Sequence, residues 1–404
     1  MRRQLIVTIA LLTLTAGMGP AAGAVAATST TSSTAATDAP GGCEYPIELE
    51  DATGESITID DEPDSIVALY PSDAQKVFKV GADDRLDGMP VSEYTEGLDV
   101  DDQTDTTEDD GLTPVPEEII ALEPDVVLAA SIADEEIVDQ LREAGIDVYV
   151  FDVAMTLEDV QTDVQTAGQL TGSCDGAGVA AEWMDERMAI LEDALEDEDR
   201  PLALYAMGDG YTAGEFTFQD EVLTSAGVEN LGAEAGIEGW DIISDETVLE
   251  EDPEWIIYGE TWGDEPPVSD AHDETTAMQE GQYFGIDDSD VSQPAPKTVY
   301  AVEEIVAGVH PDLYEDVEAE LEAVDEAYES ALADLEAADD EPDTDDADSD
   351  GADDDTDTTA DDEETDPPAD DDDATETDDS IPGFGVPVAI AGVLSLLFVR
   401  LRRL

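Results

Sequence analysis

Short apolar runs of strand length alternate with segments of helical spacing along most of this chain, and that alternation rules out most architectures. Ile66–Tyr70 is followed by Ala74–Val80, Val126–Ala129 by Asp134–Ala144, and Val148–Phe151 by Leu157–Leu170. Brief strands separated by helices pair in parallel through helical crossovers, so the pattern predicts βα units on a parallel sheet. The alternation resumes after Arg200, with strands expected at Leu202–Tyr205, Trp255–Tyr258 and Thr298–Val302. Between the halves, Gly176–Glu196 keeps Trp183, Met184, Met188, Leu191 and Leu195 at helical spacing without a proline. A helix of about 21 residues spans roughly 31 Å, long enough to join two α/β lobes. An ordinary surface helix is the alternative for this segment. As a connector, a single helix should restrict hinge closure more than flexible crossovers would.

Both ends of the chain fall outside this pattern. Arg2 and Arg3, an apolar run from Leu5 to Leu14 and the small residues ending at Ala24-Val25-Ala26 have the order of a secretory signal, expected over residues 1–26. A twin-arginine signal fits less well, because Gln4 and Leu5 follow the arginines without the usual preceding Ser or Thr. Residues 27–42 form a Ser/Thr-rich leader. Residues 338–380 are almost wholly Asp, Glu, Thr, Ala and Pro, with no Lys or Arg, and are expected to be a disordered stalk extended by self-repulsion. At its greatest extension such a stalk reaches roughly 140 Å. Asp346, Asp348, Asp350 and Gly351 match the start of a calcium loop, but flanking helices are missing, and chance within an Asp-rich tract explains the match. Residues 381–404 are apolar and close on Arg400, Arg402 and Arg403, a pattern long enough to cross a bilayer with the basic end in the cytoplasm. Pro382, Gly383 and Phe384 at its entrance resemble the PGF-CTERM sorting signal of haloarchaeal surface proteins. That resemblance implies removal of the segment by an archaeosortase-type enzyme and its replacement by a lipid. The expected location is the extracellular face of the cell membrane, with a C-terminal anchor.

The charge narrows the partners. With 108 acidic residues against 12 basic ones and a net charge of -96, the chain reads as adapted to high salt. The acidic residues are spread through ordinary apolar periodicity, so a cation buffer or a nucleic-acid mimic is disfavoured, and binding to nucleic acid or anionic lipid is disfavoured outright. Cys43 and Cys174 are the only cysteines of a chain expected outside the cell, which favours one disulfide between them. A lipid-attached Cys43 is the competing reading, weakened by the polar residues that precede it.

The folded core of about 295 residues is too large for one small domain. It resembles the helical-backbone substrate-binding proteins of ABC importers, the group that delivers cobalamin, ferric siderophores and haem. SIVALYPSDAQKVFKVGADDRLDGMP at Ser65–Pro90 is similar to the strand-loop-helix that opens lobe one, and VPEEIIALEPDVVLAA at Val115–Ala130 to the short helix, Pro-Asp turn and buried strand that follow. QDEVLTSAGVENLG at Gln219–Gly232 resembles a lobe-two helix-turn-Asn element, and SDETVLEEDPEWIIYG at Ser244–Gly259 repeats the helix, turn and strand. The resemblance implies an α/β fold of two Rossmann-like lobes: lobe one at 43–172, an interlobe helix at 173–199, and lobe two with a C-terminal helix at 200–337. It also implies solute capture by a monomer that delivers to an ABC permease and its ATPase, with no cofactor and no metal site of its own.

Ligand contacts are expected in loops at strand ends facing the cleft. The candidates are Tyr70, Pro71, Ser72 and Tyr94 on lobe one, and Tyr211, Trp240 and Trp262 on lobe two. In the cobalamin-binding members an aromatic residue just before the lobe-two Ser-x-Glu helix contacts the corrin, and Trp240, ahead of Ser244 and Glu246, occupies the similar place. Packing is the alternative for each ring, though aromatics beside glycines in loops are harder to explain as core. The basic residues of the core are Lys76, Lys79, Arg85, Arg142, Arg187, Arg200 and Lys297, and they do not cluster in these loops. A tri-anionic ferric catecholate would need converging arginines, whereas a bulky, nearly neutral corrinoid suits aromatic walls. A ferric hydroxamate remains a close alternative, and haem stays open through Tyr70, Tyr94 or His272 as axial ligand. In the family a glutamate on each lobe meets permease arginines. The matching positions here are Gln75 and Thr224, with Glu221 or Asp73 nearby as substitutes.

Two other classes fit worse. An extracellular enzyme has only His272 and His310 to draw on, without a nucleophile elbow or a zinc-binding His pair, and His310 precedes Pro311 at a helix start, a structural place. A structural surface-layer protein would suit the anchor and stalk, but repeated β-sandwiches would be expected of it rather than two lobes on a helix.

Overall fold

The computed structural model describes residues 43–95, 97–98, 100 and 103–339. The expected signal, leader and apolar tail with Pro382, Gly383 and Phe384 lie outside the described residues, as does the expected acidic stalk beyond Asp339, its first two residues being helical. A hairpin of β1 (Ile47–Glu50) and β2 (Ser56–Ile59) leads into β3 (Ile66–Ala68), α1 (Pro71–Lys79), β4 (Leu86–Met89), β5 (Thr104–Asp105) and α2 (Pro116–Leu122). The first lobe continues with β6 (Val126–Ala129), α3 (Glu135–Glu143), β7 (Asp147–Val150) and α4 (Leu157–Thr171). Every side chain of β3 and β6 is buried, as central parallel strands covered by helices on both faces require. The sheet runs β5-β4-β3-β6-β7 and is parallel throughout. Its helices start where local chemistry demands. Pro71 opens α1, where its missing N–H is no loss, and Thr156 with Asp159 closes a capping box on α4.

α5 (Cys174–Leu195) follows as a helix of 22 residues. The second lobe contains β8 (Leu202–Ala206), β9 (Tyr211–Ala213), α6 (Phe218–Ser225), β10 (Glu229–Asn230), α7 (Leu231–Glu234), β11 (Trp240–Ile242) and α8 (Asp245–Glu251). Then come β12 (Trp255–Gly259), α9 (Thr276–Glu280), β13 (Tyr283–Ile286), α10 (Asp288–Ser292) and α11 (Thr298–Val309). Its sheet is β10-β8-β12-β13, also parallel, and β9 pairs antiparallel with β11 beside it. The fold is thus α/β, two lobes with parallel sheets linked by a long helix.

One expected strand is a helix. Thr298–Val302 was expected to be a strand because Thr, Val and Tyr favour strands, but it is the first part of α11. Thr298, Val299, Ala301, Val302, Ile305 and Val306 are buried, a 3.6-residue period that appears only in a window longer than the five β-prone residues. The strand that completes the sheet is YFGI at Tyr283–Ile286, paired with β12.

A C-terminal helix reinforces the interlobe helix. α12 (Pro311–Asp339) packs along α5 and returns to lobe one, where the Tyr328 hydroxyl donates to the Lys79 carbonyl at 2.7 Å. The Lys79 ammonium sits over the rings of Trp183 and Tyr328, 3.2 and 3.6 Å from their centroids. Burial pushes the Lys79 amine down to about 7, against the pull of the Asp325 carboxylate. Arg187 of α5 is buried, with Nε and Nη2 on the two Glu303 carboxylate oxygens at 2.7 and 2.6 Å, and it also pairs with Asp325 of α12. Cys43 and Cys174 are bonded to each other, with Cα atoms 5.2 Å apart, and tie the N-terminal segment to the start of α5. A link across so long a loop contributes on the order of 4 to 5 kcal/mol.

Candidate functional site: the strand-end faces of the two lobes

In a doubly wound sheet, ligands sit beyond the carboxyl ends of the strands, where the strand order reverses. In lobe one that point falls between β3 and β6, and in lobe two between β8 and β12. The two strand-end surfaces meet along one side. Gln75 Nε2 of α1 donates to Gln293 Oε1 beyond α10 at 3.0 Å, and Lys297 Nζ lies against Gly97, 3.4 Å from where a Cβ would stand.

At the lobe-one switch point Tyr70 caps α1, half-buried. Asp73 fixes the backbone there, accepting from the N–H of Tyr70 at 3.2 Å and of Ala130 at 2.8 Å, so a single carboxylate pins the loops after β3 and β6. Lys76 stands 3.5 Å from Asp73 and 3.4 Å from Asp163, with its ammonium over Phe151 at 3.9 Å. Burial pushes both carboxylates up, Asp163 to about 6, while Lys76 pulls them down. Burial, and then the charge of Asp73, raise the Tyr70 phenol to about 12. Pro71 and Ser72 are buried in the first turn of α1, and Tyr70 packs against the core cluster of Val67, Leu69 and Val127. Tyr94 is half-buried in a single turn after β4 and lines a cavity of about 280 Å³ with Val91, Ser92 and the carboxylates of Asp105, Glu108 and Asp109.

At the lobe-two switch point the Trp262 ring lies on Gly208. A Cβ at Gly208 would stand 2.6 Å from Trp262 Cη2, and the glycine has φ +81°, so both the close approach and the backbone require glycine. Trp262 is 51% exposed and Tyr211 41%. Trp240 is half-buried, and its indole N–H donates to Gln219 Oε1 at 3.1 Å, while Gln219 Nε2 reaches the Val291 carbonyl at 3.4 Å. One glutamine therefore links the Trp240 indole to the Val291 carbonyl of α10.

The large apolar side chains most exposed among the described residues gather on these faces. Val91, Ile132 and Val153 follow β4, β6 and β7, and Tyr211, Phe216, Ile242 and Trp262 lie on the corresponding loops and hairpin of lobe two; only Leu249 of α8 lies elsewhere. Val91, Ile132, Val153, Phe216 and Ile242 are absent from the sequence-based candidates, since isolated aliphatic residues give no signal until strand ends are located. Phe216 stands out further by its φ of +63°, a region costing a bulky residue about 1–3 kcal/mol.

Most basic residues are engaged within the fold, though Lys76 stands at the lobe-one switch point and Lys297 where the two surfaces meet. Arg85 pairs with Glu62, Arg142 with Asp51, and Arg200 donates to the Thr224 carbonyl; Lys76, Lys79 and Arg187 are committed as described. Among the described residues no group of His, Cys, Asp and Glu is arranged to hold a metal ion. His272 is buried, with Nε2 3.0 Å from Asp245 Oδ1 though misaligned for a hydrogen bond, and is not presented to a ligand. His310 is half-buried at the joint of α11 and α12. Of the expected permease contacts, Gln75 and Asp73 are buried, Gln75 bonded to Gln293 and Asp73 to the Ala130 N–H. Glu221 and Thr224 are half-buried on α6, where the Thr224 hydroxyl donates to the Asp220 carbonyl.

Residues 66–289 match the family described as periplasmic binding protein. The chain belongs to that family. This binding protein is 31% identical over 323 residues to a cobalamin-binding protein of Halobacterium salinarum, covering 77% of this chain and 86% of the relative. It is 24% identical over 285 residues to the ABC transporter substrate-binding lipoprotein YvrC of Bacillus subtilis, covering 67% and 88%. Its fold is similar to that of the periplasmic heme-binding protein RhuT from Roseiflexus sp. RS-1 in apo form, with a TM-score of 0.53 and 20% identity over 62% of this chain and 98% of that one.

Proposed function

We propose that the protein is the solute-binding component of an ABC importer and that its solute is a corrinoid, held between the strand-end faces of the two lobes and passed on without chemical conversion. The observation that carries this reading is the composition of those faces: exposed aromatic and aliphatic side chains at both switch points, with the basic side chains tied up in ion pairs, aromatic contacts or the lobe junction. A broad, nearly neutral macrocycle gains from such walls by burying apolar surface, whereas a polyanionic chelate would lose its hydration without a compensating cation. The 31% identical relative is itself named for cobalamin.

The partners follow from this role: a membrane permease with its ATPase, and for the C-terminal segment an archaeosortase-type enzyme that leaves the protein lipid-anchored at the outer face of the membrane, raised on the acidic stalk. Among the described residues no helix is long and apolar enough to cross a membrane. Titration of the protein in high-salt buffer with cobalamin, a ferric hydroxamate and haem, followed by desalting and absorbance, tests the reading. Saturable retention of cobalamin alone is expected. Retention of the hydroxamate or of haem without cobalamin would transfer the protein to iron uptake, and intact peptide through Arg403 in native membranes would overturn the processed anchor.

A further inference from the structure

Phe216 is the most exposed large apolar side chain among the described residues, at 68%, and it holds a left-handed backbone conformation with φ +63°. Both features are unfavourable in the free protein, and both could be relieved by a glycine. The backbone on either side explains why the conformation is imposed. Glu215 is locked to the facing strand by its N–H to the Ile237 carbonyl and by its own carbonyl to the Gly239 N–H, each at 2.8 Å. Thr217, buried, caps α6 by accepting from the Asp220 N–H at 3.1 Å and donates its hydroxyl to the Gly214 carbonyl at 2.8 Å. The chain has one residue in which to turn from the β9 hairpin into the helix. What the backbone does not explain is a benzyl side chain at that residue, because so exposed a ring contributes little to the core.

The position does explain it. α6 carries the chain from β8 to β10, so its first turn lies at the carboxyl edge of the lobe-two sheet, and Gln219 of that same turn accepts from Trp240. Phe216 therefore stands on the same edge as Trp240 and Tyr211. We infer that Phe216 is a ligand-contacting, specificity-determining residue whose ring forms part of the apolar wall that covers a bound macrocycle. This rests on the reading that a metal chelate is held between the lobes, and it adds a residue that neither composition nor any sequence motif marks.

The test uses two variants of the whole chain in high-salt buffer, with cobalamin, ferric hydroxamate and haem as probes. Phe216→Gly removes the ring and the strain. It should raise the melting temperature of the ligand-free protein by a few degrees while weakening retention of the bound probe roughly tenfold or more. Phe216→Ala removes the ring but keeps a Cβ in the same backbone, so it should weaken binding equally with little gain in melting temperature. Wild-type affinity in both variants overturns the inference while leaving the proposed function standing. A lower melting temperature in Phe216→Gly overturns it too, since the ring would then be serving the fold. Failure of the wild-type protein to retain any of the three probes removes both readings together.

Discussion

Replacing Arg187 by Met should be among the most damaging single changes available in this protein, and its magnitude follows from what is left behind. The guanidinium is 3% exposed, and Glu303, which receives two of its nitrogens, is 6% exposed at the side chain. Asp325 on the same guanidinium is 36% exposed and can be rehydrated, but Glu303 cannot, and the Leu321 carbonyl loses a donor at 3.2 Å. Stranding one buried partner of such a pair costs about 3–5 kcal/mol. Removing both partners should cost far less: Arg187→Met with Glu303→Leu places apolar groups beside the rings of Trp183 and Tyr300, and such replacements are often neutral or stabilising by about 1–4 kcal/mol. Urea unfolding of the wild-type protein, both single variants and the double variant at fixed high salt gives the coupling directly. The single-variant loss should persist as salt is raised, since a buried pair is poorly screened, unlike Arg85 with Glu62, whose side chain is 60% exposed. A loss under about 1 kcal/mol for Arg187→Met, or a double variant as unstable as the worse single, would refute the reasoning.

Two further outcomes follow from the sites described. Gly208→Ala drives a methyl group into the Trp262 ring at a backbone conformation that disfavours alanine; it should cost about 1–3 kcal/mol and alter Trp fluorescence, and an unchanged spectrum with unchanged urea midpoint would mean that the ring does not rest on Gly208. Asp290 is pushed up to about 7 by burial and by the charge of Asp287, against the pull of Lys297. Its folded-state pKa is above the unfolded value of about 3.9, so the folded state holds the proton more tightly, and stability is lost as pH rises from about 4 to about 7. Asp290→Asn should match the wild type near pH 4 and exceed it at pH 8; an equal difference at both pH values would contradict this.

Where local pattern and tertiary role agree, the fold was legible in the sequence. Val126–Ala129 reads as a buried strand because four apolar residues between turn signals have no other economical use, and Gly176–Glu196 reads as a helix because Trp183, Met184 and Leu191 recur at its period. Thr298–Val302 failed because intrinsic strand preference is weak beside the burial pattern of a longer segment. Among the site residues, Trp262 beside Gly263 could be suspected from composition alone. Phe216 could not, since what distinguishes it is a dihedral angle and an exposure. Nor could the burial of Gln75 and Asp73 be read from the chain: the same α1 pattern suits a surface helix and a helix whose first turns are buried.

Why closure of the lobes should be small follows from α1. Its nine residues, roughly 13 Å of helix, begin beside Tyr70 at the ligand face and end at Lys79 under the rings of Trp183 and Tyr328. Between these ends Gln75 bonds to Gln293 of lobe two, so one rigid element is fixed at the site, at the opposite lobe and at the α5–α12 pair. A wide hinge opening would break the amide contact and pull Lys79 from its rings together. A small rotation can keep Lys79 seated and let the Gln75–Gln293 contact form and separate. The contacts of Lys79, Trp183 and Tyr328 thus hold the far end of the helix that Tyr70 caps.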